Sequence, residues 1–344
     1  MKKKTEKSNK KHKGLKVFGC IVLVLVLFFA TINIIPPKKN LEENPFVLKE
    51  GQPTMIAAHR GGGDINPENT LLAFKEAVLT HKVDIVESDI YMTKDGYLVF
   101  NHDSYIDETC NVNGDISYEE MEALIEDESK RHYIADMTLE ELQQYNFGYY
   151  FEDENGQRIY KDVENFKDIG LQMATADQLF EFFYESHPDL MFILEIKNEG
   201  EEGKKACKIF YDMLKERFPN YLDQIVVGTF KDEIGEELKE NYPDLLDGAA
   251  PYKAAQFVLT QYLGVNLFDN SSFSTLQIPV SYDIGFDLNL VSKSLVKRAH
   301  KRNIAVQYWT INDPDEMRTL IELGADCLMT DNPKLMREIL EEYK

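Results

Sequence analysis

Short apolar runs alternate with longer helical patterns from about residue 54 to the end of the chain. This alternation is typical of a parallel sheet, and about 290 residues suit a (β/α)8 TIM barrel. A doubly wound sheet is the alternative, although no strand is followed by a GxGxxG sequence. The predicted strands are Met55–Ala58, Asp84–Ile90, Leu98–Asn101, Phe192–Ile196, Ile225–Thr229, Leu276–Ser281, Ala305–Ile311 and Cys327–Thr330. The predicted helices are Thr70–Thr80, Ala176–Ser186, Glu202–Phe218, Glu233–Asn241, Leu290–Arg302, Pro314–Leu323 and Pro333–Tyr343.

One block interrupts the alternation. Residues 103–175 are polar and rich in tyrosine, with short helical patterns at Ser117–Asp127 and Thr138–Tyr145. A connection of this length is unusual inside a compact domain. We therefore predict a small inserted subdomain or lid between two elements of the barrel.

The N-terminus combines a basic cluster with a long apolar run. Residues 2–16 carry eight lysines, and Val17–Ile35 follows without a charge. Nineteen helical residues reach about 28 Å, close to the thickness of the hydrocarbon core of a membrane. Because lysines stay on the cytoplasmic side, the run predicts a single-pass anchor with a cytoplasmic N-terminus and an extracellular domain.

Two other interpretations of this run stay open. The anchor is favoured over a cleaved signal peptide because no small-x-small cleavage pattern ends the run. A lipoprotein signal ranks third, since Val17-Phe18-Gly19-Cys20 precedes the apolar run when a lipobox should follow it. The predicted organisation is a basic tail at 1–16, an anchor at 17–35, a linker at 36–53 and a barrel at 54–344, with the insertion at 103–175.

Charge is divided unequally along the chain. Residues 41–344 hold 28 Lys and Arg against 59 Asp and Glu, a formal charge of −31. Nucleic-acid binding is not expected, because it needs clustered cations. A phosphate site must be made locally positive by a metal or a few placed cations. The domain's three cysteines, Cys110, Cys207 and Cys327, suit neither a disulfide framework nor a zinc site and are predicted to be buried, with oxidation of one pair left open.

Charged and acid–base side chains gather at the ends of four predicted strands. In a barrel the carboxyl ends of the strands meet at one face, where active sites of this architecture are built. The residues are His59 and Arg60 after the first strand, Glu87 and Asp89 on the second, His102 and Asp103 after the third, and Glu195 and Lys197 on the fourth.

The spacing within these pairs predicts a metal site. Residues two apart on a strand point to the same side, so Glu87 and Asp89 project together. With Glu195 they would gather three carboxylates, which repel one another strongly unless a cation neutralises them. Ligands that are all oxygen favour Mg²⁺ or Ca²⁺ over zinc.

Two histidines and two cations complete the pattern. His59 and His102 titrate near neutral pH and suit general acid–base catalysis. Arg60 offers a planar fork for two phosphate oxygens, and Lys197 offers a point charge. A phosphodiester site fits this set, with the phosphate neutralised while one histidine accepts a proton and the other donates one.

These residues and their neighbours resemble the glycerophosphodiester phosphodiesterase family, in its membrane-anchored bacterial form. The resemblance covers roughly residues 54–344 in the family's order. The motifs that carry it are His59-Arg60-Gly61, Pro67-Glu68-Asn69-Thr70 with Ala73-Phe74, Glu87-Ser88-Asp89-Ile90, Thr93-Lys94-Asp95-Gly96, Val99 through His102-Asp103, Leu194-Glu195-Ile196-Lys197, Trp309-Thr310-Ile311-Asn312, and Gly324-Ala325-Asp326 running to Thr330-Asp331.

The resemblance implies a (β/α)8 barrel with a small insertion after the third strand, and one divalent cation, Mg²⁺ or Ca²⁺, as cofactor. The roles that it implies are His59 and His102 as catalytic residues, Arg60 and Lys197 as phosphate contacts, Trp309 in the substrate pocket, Glu87, Asp89 and Glu195 as metal ligands, and Glu68 and Asn69 as supporting residues.

The implied activity is hydrolysis of glycerophosphodiesters to an alcohol and glycerol 3-phosphate. A glycerol hydroxyl would attack phosphorus, and water would open the cyclic phosphate, with the histidines exchanging protons in an order that stays open. Residues 103–175 and Tyr252–Ser274 match the family least, so the alcohol group is open, as is the oligomeric state. Phospholipase D-like activity on lysophospholipids or sphingolipids is one alternative, and a non-catalytic binding module is another.

Overall fold

The computed structural model describes residues 2–283, 285 and 287–344, with side chains from residue 15 onwards. The strands are β1 (Met55–Ala58), β2 (Ile85–Met92), β3 (Leu98–Phe100), β4 (Met191–Ile196), β5 (Ile225–Gly228), β6 (Leu246–Asp247), β7 (Thr275–Ile278), β8 (Ser281–Asp283), β9 (Asp287–Asn289), β10 (Ala305–Tyr308) and β11 (Cys327–Thr330). The helices are α1 (Lys2–Ile34), α2 (Leu71–Leu79), α3 (Tyr118–Ile125), α4 (Leu139–Leu142), α5 (Ala176–Phe183), α6 (Gly200–Arg217), α7 (Asp232–Asn241), α8 (Pro251–Tyr262), α9 (Lys293–His300), α10 (Pro314–Leu323) and α11 (Pro333–Glu341).

Eight parallel strands form a ring in the order β6-β5-β4-β2-β1-β11-β10-β7. A parallel bridge between Gly248 and Thr275 links the two ends of this order. Helices α2, α5, α6, α7, α8, α9, α10 and α11 each follow one strand of the ring along the chain. The predicted (β/α)8 barrel, preceded by one apolar N-terminal helix, is confirmed.

Several elements differ from the prediction. The third predicted strand, β3, pairs antiparallel with β2 outside the ring, because a tight turn through Gly96 (φ +89°) reverses the chain. Strands β6, β8 and β9 and helix α8 were not predicted, and the strand predicted to run to Ser281 ends as β7 at Ile278. The two residues of β6 are too few to produce a periodic pattern, and they are held by their neighbours in the ring.

The core has two layers. Large side chains fill the space between the ring and the helices, including Phe74, Phe180, Phe192 and Phe210. A smaller cluster fills the amino-terminal half of the barrel interior, formed by Phe46, Met55, Ala57, Ile85, Ile193, Val226, Ala305, Cys327 and Met329. The interior is therefore packed at one end with mainly apolar side chains, as in other barrels of this type.

The segment predicted as a linker is fixed to the closed end of the barrel. Phe46 is fully buried in the interior cluster. The Asn44 side chain donates to the Ser274 carbonyl at 2.8 Å, and the Leu48 amide donates to Asp326 Oδ1 at 2.8 Å. These contacts fasten the chain between α1 and β1 to the barrel over several residues.

The insertion at 103–175 has a small core of its own. Val99, Ile106, Cys110, Ile134, Leu142, Phe147 and Met173 form this cluster. The two predicted helices are present as α3 and α4, and each begins with a capping box, Ser117 with Glu120 and Thr138 with Glu141. The domain's three cysteines are free and buried, as predicted.

Candidate active site

The candidate site continues the rows of side chains that point into the barrel. Ile85 belongs to the interior cluster, so Glu87 and Asp89, two and four residues later on β2, point the same way. On β4, Ile193 also belongs to the interior cluster, and Glu195 lies two residues after it. Asp89 lies opposite Glu195 in the parallel register. The predicted metal ligands therefore lie on the inward face of two neighbouring strands.

Burial and mutual repulsion perturb these carboxylates. Burial raises the pKa of Glu87 to about 7, with the charge of His59 opposing the shift and that of Asp89 adding to it. Burial also raises the pKa of Glu195 to about 7, opposed by Lys197 and reinforced by Asp89. Asp89 is common to both shifts, because it lies between the two glutamates.

Lys197 lies between two of the carboxylates. Its Nζ is 3.2 Å from Asp89 Oδ1 and 3.4 Å from Glu195 Oε2. Burial lowers the pKa of Lys197, but the charges of Asp89 and Glu195 outweigh that effect and raise it. Lys197, predicted as a phosphate contact, is therefore positively charged and pairs with the carboxylates.

Arg60 adopts a left-handed backbone conformation (φ 51°) directly after β1. This conformation directs its amide to Glu87 Oε2 at 2.9 Å. Its guanidinium Nη1 donates to both oxygens of Glu68, at 3.1 and 3.2 Å, and Nε lies 3.7 Å from Asp89. A Cβ on the next residue, Gly61, would lie 2.9 Å from the Phe74 ring, so the turn requires glycine there.

His59 is held by an aspartate from the other end of the chain. Its Nδ1 lies 2.5 Å from Asp331 Oδ1, and its Nε2 lies 4.0 Å from Glu87 Oε2. Burial lowers the pKa of His59, but the hydrogen bond with Asp331 and the charge of Glu87 together raise it above the ordinary value. With Nδ1 engaged, Nε2 is the ring nitrogen free to exchange a proton inside the barrel.

Asp331 is oriented in turn by Asn312. The Asn312 side-chain amide donates to Asp331 Oδ2 at 2.7 Å, and its Oδ1 accepts from the Asp331 amide and the Thr330 hydroxyl, both at 3.0 Å. Sequence reasoning placed Asp331 and Asn312 in motifs but assigned them no role. The usable signal was the period of two in β11, since Asp331 continues the inward row of Cys327 and Met329.

His102 lies in a bend after β3, with Nδ1 3.3 Å from Asp103 Oδ1 and its side chain 37% exposed. Its charge is one of the influences that oppose the rise in the pKa of Glu195. Asn101, which was not predicted as a site residue, fixes the bend. The backbone N–H of Asn101 donates to the Asp89 carbonyl at 3.1 Å, and its side chain donates to the Asp103 carbonyl at 2.8 Å.

Asn69 supports the site from behind β2. It is buried in a left-handed conformation (φ 58°), and its Oδ1 accepts a hydrogen bond from the Ser88 hydroxyl at 2.7 Å. Because Ser88 lies between Glu87 and Asp89, this contact fixes the strand that carries both carboxylates. The backbone N–H of Asn69 also donates to the Arg60 carbonyl at 2.8 Å, which couples β2 to the turn after β1.

Two aromatic side chains, one after β5 and one after β10, contact each other. Trp309 follows β10 and packs on the interior cluster. Phe230 follows β5 and contacts Trp309 edge-on, with ring centroids 6.5 Å apart. Phe230 is 56% exposed and was not predicted, although it continues the inward row of Val226 and Gly228. Together the two side chains present an apolar surface where the chain leaves these strands.

The carboxylates fit a divalent cation in donor type, because all three supply oxygen. Among the residues that the structure describes, no group of three or more His, Cys, Asp or Glu side chains is positioned to hold a metal as it stands. The position between Asp89 and Glu195 is taken by the Lys197 ammonium. Asp89 Oδ2 is nevertheless buried without a hydrogen-bond partner, as a ligand oxygen would be.

Residues 59–335 match the model of the glycerophosphoryl diester phosphodiesterase family. The chain belongs to this family. A glycerophosphodiester phosphodiesterase of Caldanaerobacter subterraneus is 25% identical over 296 residues, which cover 84% of this chain and 98% of the relative. A mouse lysophospholipase D is 23% identical over 313 residues, covering 85% of this chain and 83% of the relative.

A solved structure of an Oleispira antarctica phosphodiesterase, in complex with the product sn-glycerol-3-phosphate, shares the fold. Its TM-score is 0.60 at 18% identity, and the match covers 84% of this chain and 97% of that chain. The residues that match the family model begin directly after β1 and end within α11. This protein is a phosphoric diester hydrolase of that family, with hydrolysis of glycerophosphodiesters as the family activity.

Proposed function

We propose that the chain hydrolyses glycerophosphodiesters to an alcohol and glycerol 3-phosphate, with His59 and His102 as acid–base catalysts and a divalent cation bound by the carboxylates. The observation that carries this proposal is the hydrogen bond between His59 Nδ1 and Asp331. It leaves Nε2 facing Glu87 inside the barrel, the position from which a proton is exchanged with a bound phosphodiester.

Glu87, Asp89 and Glu195 would hold the cation, Mg²⁺ or Ca²⁺. Bound there, it would neutralise phosphate charge and polarise the phosphorus–oxygen bonds. The buried Asp89 Oδ2, which has no hydrogen-bond partner, and the raised pKa values of both glutamates support this assignment, because a bound cation would supply the missing partner and would stabilise the charged form of each carboxylate. In this assignment the Lys197 ammonium leaves the carboxylates and contacts a phosphate oxygen.

The other side chains bind and position the substrate. Arg60, held by Glu68 and directed into the barrel, contributes a second positive charge for the phosphate. His102, more exposed than His59, lies on the bend that Asn101 fixes, and its charge opposes the rise in the pKa of Glu195. A proton accepted by one histidine from an attacking hydroxyl is matched by one donated by the other to the departing alcohol oxygen.

The N-terminal helix supports a location at a membrane. Leu15–Ile34 has a mean hydropathy of 2.8 and is long enough to cross a bilayer, a test that a signal sequence also passes. The eight lysines in residues 2–16 favour an uncleaved anchor with the barrel on the outer side. The enzyme would then act on glycerophosphodiesters outside the cell.

The test uses the full chain purified in detergent, with glycerophosphocholine as substrate. We expect release of glycerol 3-phosphate that EDTA abolishes and Mg²⁺ or Ca²⁺ restores, and a loss of at least about 10²-fold in His59→Ala and in His102→Ala. The matched control is His187→Ala, because His187 bonds Ser186 at the end of α5 and contacts no site residue. Equal activity in all three variants, or activity that EDTA leaves unchanged, would count against the proposal.

A second candidate is lysophospholipase D-like activity at the same site. The exposed Phe230 beside Trp309 favours it, because an acyl chain needs apolar surface near the phosphate. Lysophosphatidylcholine competed against glycerophosphocholine distinguishes the two. Preference for the lipid that Phe230→Ser reverses would establish the second candidate, and hydrolysis of glycerophosphocholine alone would exclude it.

A further inference from the structure

Helix α8 presents a row of large apolar side chains to solvent. Tyr252, Leu259, Tyr262 and Leu263 are between 45% and 68% exposed. At about 100° per residue, these four positions fall within roughly 100° of the helix circumference. Phe268, which follows shortly after the helix, is 63% exposed. One side of the barrel therefore carries a continuous apolar strip, the α8 face, defined by these five residues.

The N-terminal helix α1 docks directly beside the α8 face. The rings of Phe28 and Phe268 lie nearly parallel, with centroids 6.4 Å apart. The Asn33 side chain donates to the Gly264 carbonyl at 2.9 Å and accepts from Arg298 at 3.3 Å. Phe28 precedes the end of the span by six residues, or about 9 Å of helix. Phe268 therefore lies beside the apolar part of α1, about 9 Å before its C-terminal end.

Charge around the α8 face is opposite to that of the domain. No Asp or Glu occurs in residues 248–268 or 288–312, although residues 41–344 carry a formal charge of −31. The neighbouring helix α9 instead exposes Lys293, Lys297 and Lys301, four residues apart and hence along one side of the helix. An apolar helix face flanked by lysines is typical of a segment that lies at the surface of an anionic bilayer.

We propose that the α8 face lies in the interface of the membrane that α1 spans, with the lysines of α9 toward anionic lipid headgroups. The proposal rests on the membrane anchor of the proposed function. A bilayer is preferred to a second copy of the chain as the occupant, because the strip continues directly into the spanning helix. Two α9 lysine rows brought together in a dimer would also repel each other.

This contact fixes the orientation of the active site. Helix α8 starts after β6 at the active-site end of the barrel and runs to the closed end, about 18 Å away. With its length along the bilayer, the barrel axis lies closer to the membrane plane than to its normal. The mouth then opens sideways along the membrane surface rather than away from it.

The test places a fluorescent nitrobenzoxadiazole label on one added, exposed cysteine of the full chain in a Cys20→Ser background, in which the three remaining cysteines are buried. The positions are Leu259→Cys and Leu263→Cys on the α8 face. Leu79→Cys on α2 is the matched control, because it is an exposed leucine and β1 lies opposite β6 in the ring. Each protein is reconstituted into liposomes of phosphatidylcholine and phosphatidylglycerol that contain a nitroxide lipid with a shallow spin label.

We expect the label fluorescence to be quenched several-fold more strongly at 259 and 263 than at 79. This quenching should weaken without phosphatidylglycerol, and also in a variant that combines Lys293→Glu, Lys297→Glu and Lys301→Glu. Equal quenching at all three positions would overturn the proposal, as would crosslinking of two chains through residue 259 without quenching. Loss of the protein from the liposomes in alkaline carbonate would overturn the anchor together with it. Hydrolysis of glycerophosphocholine by the same samples tests the catalytic function separately.

Discussion

Replacing Asp331 by asparagine tests whether this residue controls the proton chemistry of His59. Asp331 offers two acceptor oxygens, one to His59 Nδ1 at 2.5 Å and one to the Asn312 amide at 2.7 Å. An asparagine has one oxygen, so one of its two contacts must set a donor against a donor. Asn312 cannot turn over to relieve this, because its own oxygen already accepts from the Asp331 amide and Thr330.

Both orientations of the new side chain impair the histidine. With its NH2 group toward His59, it favours the tautomer in which Nε2 carries the proton and cannot accept one. With its oxygen toward His59, it lacks the negative charge that stabilises the imidazolium. We expect kcat to fall by about 10²- to 10⁴-fold, or about 3–5 kcal/mol, with KM nearly unchanged.

The pH profile separates this role from a structural one. The contact with Asp331 raises the pKa of His59, so its removal should move the limb that reports His59 to lower pH. Asp64→Asn is the matched control, because Asp64 is exposed and bonds Asp331 only through its backbone amide. The reasoning is refuted if Asp331→Asn keeps activity within about threefold, or if Asp64→Asn loses as much.

Three further predictions concern the cation and the closed end of the barrel. Mg²⁺ or Ca²⁺ at 100 times its Kd should stabilise the protein by about 2.7 kcal/mol, and a thermal shift that survives Glu195→Gln would contradict the ligand assignment. Burial raises the pKa of Glu87 and Glu195 to about 7, so protons compete with the cation for these carboxylates. The Kd of the cation should therefore rise by up to ~100-fold per pH unit below pH 7, and a pH-independent Kd by titration calorimetry would be inconsistent with this. Asp326 is fully buried and accepts hydrogen bonds from the Leu48 and Val306 amides and from His300. In Asp326→Ala, urea titration should show that the free energy of unfolding falls by about 3–5 kcal/mol, with kcat unchanged. A fall below about 1 kcal/mol would refute the structural role of Asp326.

The period of two explains why so much of the site was predictable. A strand residue that packs in the barrel interior determines the direction of the residues two and four places later. The strand pattern alone therefore places Glu87, Asp89 and Glu195 on one side of the sheet. The same rule, applied to β11 and β5, would have indicated Asp331 and Phe230 as well, since each continues an inward row.

The contacts between these rows required the closed ring. Asp331 lies 272 residues from His59, and only the parallel pairing of β1 with β11 brings the two together. The position of Lys197 between two carboxylates depends on the register of β2 and β4. The two-residue strand β6 has no local pattern at all and exists because its neighbours hold it. In each case residues far apart in the chain decide the contact.

Local sequence patterns were enough to predict the alternation of strands and helices, the position of most of these elements, and an apolar span after a basic tail. These features depend on local periodicity and composition, which act over one element at a time. Tertiary structure alone decided which side chains share a proton, which cation neutralises which acid, and that α1 docks beside the apolar face of α8. Such contacts form only when ring closure fixes the relative positions of distant elements.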